Sequence, residues 1–75
     1  MKKLYQFLKS FKTAADLQAA CMSLYDYEQL KKIFIDLKTT GRAHFMTGRS
    51  FKVLKQLGCV NLYVDGIGWT ATPKN

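Results

Sequence analysis

The spacing of hydrophobic residues changes period along this chain, and each change marks an element. From residue 2 to 12, Leu4, Phe7, Leu8 and Phe11 recur at i, i+3, i+4 and i+7. That spacing puts them on one stripe and predicts a helix flanked by lysines. Thr13 followed by Asp16 is a capping pattern, a hydroxyl with an acid three residues on. It predicts a second helix from Ala14 to about Met22, burying Leu17, Ala20 and Cys21. Ser23-Leu-Tyr-Asp26 is a break and a second cap, and either Asp26 or Ser23 opens the longest helix, to about Thr39. Tyr27, Leu30, Ile33, Phe34 and Leu37 form its inner face, Ile35 points off the stripe, and Glu28 and Lys32 make a favourable i,i+4 pair. Gly41 supplies a left-handed stop.

Residues 42–46 fit either a short strand or a loop. A strand is favoured, because a bare two-stranded hairpin is weak alone. Thr47 then caps a helix from Gly48 to Leu57, with Phe51, Leu54 and Leu57 facing inward and Val53 at the boundary. Gly58 ends it, and Val60 is placed for the apolar contact that follows such a cap. Beyond Gly58 the period drops to two. Val60, Leu62, Val64, Ile67, Trp69 and Ala71 fall on one face of a hairpin; Cys59, Asn61, Tyr63, Gly68, Thr70 and Thr72 fall on the other. Asp65-Gly66 reads as a type I′ turn, which pairs Val64 with Ile67 and Leu62 with Trp69. The expected fold is a single α+β domain over residues 1–75, with three helices, the short third strand at 42–46, a fourth helix and a C-terminal β-hairpin.

Composition adds the sign of the partner. The chain has 75 residues, 48% hydrophobic and 13% aromatic, which suits one small globular domain and not a disordered segment. Twelve basic residues against five acidic ones give a formal charge of +7. Such an excess favours an anionic partner. The charge is uneven: Lys2, Lys3, Lys9 and Lys12 have no acid among residues 1–15, and Lys38, Arg42, Arg49, Lys52 and Lys55 have none between Asp36 and Asp65. Two cysteines, Cys21 and Cys59, make no disulfide framework, and no secretory pattern or membrane-length apolar run is seen. A reducing, cytoplasmic setting with free thiols is expected.

No catalytic or metal-binding pattern emerges. His44 is the single histidine, with no acid or cysteine near it in sequence, and Cys21, His44 and Cys59 lack any usual ligand spacing. Asp65 reads as a turn residue. A phosphate-loop spacing is absent around Gly41-Arg42 and Gly48-Arg49. An enzyme, a metal or a cofactor is therefore not expected. The positive signal is the outer arc of the Gly48–Leu57 helix, where Arg49, Lys52, Lys55 and Gln56 gather. Lysine and arginine neutralise phosphates, and arginine and glutamine read guanine and adenine edges.

The run from Thr47 to Pro73 resembles a winged-helix DNA-binding domain: a basic helix, Leu57-Gly58-Cys59-Val60, a strand, the Asp65-Gly66 tip, and a return strand closing on Trp69-Thr70-Ala71-Thr72-Pro73. The resemblance implies that the helix is the recognition helix and the hairpin the wing. It makes Arg49, Ser50, Lys52, Lys55 and Gln56, with Arg42 nearby, the expected DNA contacts. The sequence departs from the family at two points. Seven residues, Gly41 to Thr47, separate helices that the family spaces tightly, and the wing tip carries Asp65 with no cation. A helix-turn-helix built on residues 14–22 and 26–39 would instead present Asp26 and Glu28 at its recognition end, which is electrostatically worse.

The expected function is thus that of a small DNA-binding transcriptional regulator, with duplex DNA as partner, no membrane, and a homodimer compatible with paired half-sites. The alternative is an interaction or inhibitor protein of viral or mobile-element type that binds an acidic protein surface. Tyr5, Tyr25, Tyr63 and Arg42 would serve there, since Tyr and Arg are enriched in interface hot spots. RNA stacking on Tyr63 is a third, weaker reading.

Overall fold

The computed structural model describes residues 2–74. Four helices, α1 (Lys2–Lys9), α2 (Ala14–Ala19), α3 (Leu24–Thr39) and α4 (Gly48–Leu57), accompany three strands, β1 (Ala43–Phe45), β2 (Val60–Asp65) and β3 (Gly68–Pro73). The strands form one antiparallel sheet in the order β1-β3-β2. This is the expected α+β class, and residues 43–45 are a strand. Helices followed by a C-terminal antiparallel hairpin are compatible with a winged-helix-like fold, although β1 stands between α3 and α4 where that family places its helices close together.

α3 is the centre of the domain and packs against α1, α2, α4, β1 and β3. Leu30, Ile33 and Leu37 are its buried side. They meet Leu4 and Leu8 of α1, Val53 and Leu54 of α4, and Ala43, Phe45, Val60 and Ala71 of the sheet in one cluster. Trp69 closes it, with Phe51 at 4.8 Å and Phe45 at 5.8 Å between ring centroids. The predicted cap of α2 forms as a capping box, and of the two candidates before α3 it is Ser23 that caps, with Asp26 completing a second box. Thr13 Oγ1 accepts from the Asp16 amide, Ser23 Oγ accepts from the Asp26 amide, and each acid accepts from its cap residue's N–H. Asp16 Oδ2 also accepts from the Lys12 amide at 2.8 Å. That bond, and then the one from Thr13, holds the Asp16 carboxyl below its ordinary value.

The structure corrects several boundaries. α1 stops at Lys9 and not Lys12: the Ser10 hydroxyl donates back to the Phe7 carbonyl, and the Lys12 and Thr13 amides turn outward to Asp16. α2 stops at Ala19, and Ala20 and Cys21 are exposed where burial was expected. The reason is a Schellman motif. The Met22 amide donates to the Leu17 carbonyl and the Cys21 amide to that of Gln18, which requires a left-handed residue between them. Cys21 takes that place, with φ 55°, the one non-glycine residue at positive φ among the described residues. Met22 is thereby turned into the core. Glu28 and Lys32 come no closer than 4.0 Å. An exposed i,i+4 pair is worth only about 0.3–0.5 kcal/mol, too little to hold two long side chains together. Thr47 stands at the N-cap of α4, but its hydroxyl donates to Ser50 Oγ at 2.6 Å and caps no amide.

The hairpin is displaced in register. Val64 pairs with Trp69, Leu62 with Ala71, and Asp65 with Gly68, so the two-residue loop is Gly66-Ile67. Only Gly66 has positive φ, at 63°. A type I′ turn needs positive φ at both central residues; a glycine at the first position alone is the φ pattern of type II′. The shift is two residues, an even number, so each side chain keeps its predicted face. Two residues depart from it: Ile67 is moved from the sheet into the turn and left 88% exposed, and Cys59 stands before β2 and is buried in the core.

Candidate nucleic-acid interface

α4 owes its two sides to its sequence. Val53 and Leu54 are buried and Phe51 and Leu57 partly buried against the sheet and α3, so the opposite arc faces solvent. Arg49, Lys52, Lys55 and Gln56 are all exposed there and border, with the edge of Val53, a hollow of about 500 Å³. Gly58, left-handed at φ 65°, stops the helix and lets the chain reverse into β2. Among the described residues no carboxylate lies within 4.0 Å of the nitrogens of Arg42, Arg49, Lys52 or Lys55. The cations on α4 are therefore uncompensated by short ion pairs.

Ser50 does not belong to this set. It is wholly buried, and its hydroxyl accepts from Thr47, so it cannot reach a ligand from the outer face. Arg42 is elsewhere too. It immediately precedes β1 and lines a second hollow of about 480 Å³ on the outer face of the sheet, with Tyr63, Asp65, Thr70 and Thr72. Arg42 and Tyr63 are thus brought together, whereas Tyr5 lies in a groove between α1 and α3 and Tyr25 lines neither hollow. The four residues of the expected protein interface do not form one patch.

Sequence reasoning missed a polar cluster on the outer sheet face. Thr70 Oγ1 donates to Asp65 Oδ2 at 2.8 Å, and His44 Nδ1 lies 3.7 Å from the same oxygen. Asp65 is therefore a strand residue that ties β2 across β3 toward β1, and not a turn residue. The signal was present in the β-strand alternation. His44, Thr70 and Tyr63 occupy one cross-strand row, and Asp65 lies two residues beyond Tyr63 on the same face. Among the described residues no three His, Cys, Asp or Glu side chains converge as metal ligands. Cys21 and Cys59 are free thiols, the first exposed and the second buried. No described helix is long and apolar enough to cross a membrane.

Comparison with known protein families, with characterised proteins and with solved structures gives no significant match for this chain.

Proposed function

We propose that this protein is a small DNA-binding regulator of winged-helix type that docks the outer face of α4 into duplex DNA. The observation that carries the reading is the arc of Arg49, Lys52, Lys55 and Gln56, exposed on one side of a helix with no carboxylate within ion-pair distance. Arg49, Lys52 and Lys55 neutralise phosphates and release counterions. Gln56 carries the paired donor and acceptor that suit an adenine edge in a groove wide enough for a helix. The hairpin tip adds no phosphate contact. It offers Asp65 and the exposed apolar side chains Val64 and Ile67, so α4 acts without a cationic wing.

Fluorescence anisotropy with a labelled 20-base-pair duplex tests the reading. Binding is expected at low salt, with Arg49→Ala, Lys52→Ala and Lys55→Ala each weakening it. Each substitution should also flatten the salt dependence by about 0.9 in log–log slope. Ser50→Ala and Lys3→Ala serve as comparisons and should retain most of the affinity. Absence of duplex binding at low salt, or α4 variants that bind as well as the parent, overturns the proposal.

A further inference from the structure

α1 spends its apolar stripe on the core: Leu4 and Leu8 are buried, so that stripe is not available to a lipid surface. Outside it, between α1 and α3, lies a separate groove of about 400 Å³ lined by Lys2, Tyr5, Phe34 and Lys38. Its floor is aromatic. Tyr5 is 47% exposed as a residue, and its ring sits 5.7 Å from that of half-buried Phe34 with the planes 30° apart. Its rim is cationic. Lys2 and Lys38 line the groove, and Lys9 holds its Nζ 5.2 Å from the centre of the Tyr5 ring. Among the described residues no carboxylate lies within 4.0 Å of these three lysines. Asp36, the nearest acid along α3, is about 160° around the helix from both Phe34 and Lys38.

We propose that this groove is a docking site for an acidic segment of a partner protein, which seats one large apolar side chain against Tyr5 and Phe34 and sets its carboxylates against Lys2, Lys38 and Lys9. Charge complementarity selects the partner. An apolar hollow ringed by lysines rejects a basic or neutral polar segment and favours an acidic one with an aromatic or aliphatic anchor, the arrangement in which a central hot spot is surrounded by a polar rim. A stacking nucleobase is disfavoured because the Lys9 ammonium already covers one face of Tyr5. The site is independent of the α4 face. If both are used, the protein joins an acidic partner to DNA.

The test uses the full chain and a fluorescent nine-residue peptide of Glu and Asp with one central Trp, beside the same peptide with Ala at the centre. The Trp peptide is expected to bind about tenfold more tightly than the Ala peptide. Tyr5→Ala is expected to remove that difference, and the exposed double substitution Lys2→Gln with Lys38→Gln to weaken both peptides about tenfold without loss of folding, checked by circular dichroism. Arg49→Ala with Lys52→Ala should leave the Trp preference intact, whether or not the parent protein binds duplex DNA. Equal binding of the two peptides overturns the proposal. So does a Trp preference that survives both groove variants, or one lost with the α4 variants. Binding of phosphatidylserine vesicles, or of an oligo-dT strand, that competes with the peptide and is abolished by Tyr5→Ala would reassign the groove to lipid or to single-stranded nucleic acid.

Discussion

Gly68→Ala should destabilise this protein, because Gly68 is the glycine at which an added Cβ meets neighbouring atoms. A Cβ built at Gly68 would stand 2.5 Å from the Phe45 carbonyl oxygen, 2.9 Å from Met46 Cγ and 3.3 Å from His44 Nε2. The Met46 side chain can swing away, but the carbonyl is backbone in β1. β1 would have to retreat by about 0.5 Å to clear even 3.0 Å, and it is held to β3 through only three residue pairs, Ala43 with Ala71, His44 with Thr70 and Phe45 with Trp69. Overpacking of this kind costs about 1–3 kcal/mol. In a domain of this size each kcal/mol lowers Tm by roughly 4–8 °C. Gly48→Ala is the internal contrast. Nothing lies within 4 Å of its Cβ position, and it sits in the first turn of α4. Removing backbone freedom from the unfolded chain should raise stability there by about 0.5 kcal/mol. Thermal melts followed by circular dichroism should therefore move in opposite directions, with amide exchange in β1 accelerated only in Gly68→Ala. A Gly68→Ala protein that melts with or above the parent refutes the close packing of β1 on β3. Because Met46 and Thr47 alone join β1 to α4, the same variant should also weaken duplex binding, by shifting the start of the helix that carries Arg49.

Cys21→Gly should stabilise the protein by about 1 kcal/mol, since glycine relieves the left-handed strain and offsets its own greater chain entropy; a lower Tm would contradict the Schellman reading. In the parent, one thiol should react with Ellman's reagent at once and the second only on unfolding, and Cys21→Gly should delete the fast phase. Asp16 has its folded pKa held below 3.8, so its contribution is present above the ordinary carboxylate value and is lost as pH falls through the lower folded value. Asp16→Asn should therefore be less stable than the parent at pH 7, with the gap closing in acid; a gap independent of pH, or an Asp16 carboxyl that titrates at or above 3.8 by NMR, would contradict it.

Local chemistry made much of the fold legible. The two capping boxes, the left-handed Gly41 and Gly58, and the apolar side of α3 each depend on residues within one or two turns of one another. The register of the hairpin was not legible for a physical reason. A slip of two residues leaves every strand side chain on its own face, so the alternation that fixes the face is silent about the slip. The deciding contacts come from β1 and β3. Gly68 lets the Phe45 carbonyl approach, and on β3 the Thr70 hydroxyl donates to Asp65, which needs Asp65 in the strand and not in the turn. The α1–α3 groove was illegible too, because Tyr5 and Phe34 meet only after the helices pack.

The candidate interface shows where a loose resemblance misleads and period does not. Ser50 joined the cations only through the winged-helix resemblance, yet Ser50, Val53, Leu54 and Leu57 stand at i, i+3, i+4 and i+7, the spacing of a core stripe. Its burial follows from that spacing, and Thr47 satisfies its hydroxyl. Arg49, Lys52, Lys55 and Gln56 fall within about 120° on the other side, which is why their exposure was readable. Arg42 was added as lying nearby, and it stands instead just before β1, at the hollow beside Tyr63. This separation sets the strength of the proposed contact. Three cations on α4, acting without Arg42 or a basic wing, give a log–log salt slope of about −2.7, or roughly a 40-fold loss of affinity between 50 and 200 mM salt. Recruitment of Arg42 would steepen the slope to about −3.6 and the loss to roughly 150-fold. Arg42→Ala should leave the slope unchanged if the helix docks alone; a slope that falls by about 0.9 would place the outer face of the sheet on the DNA as well.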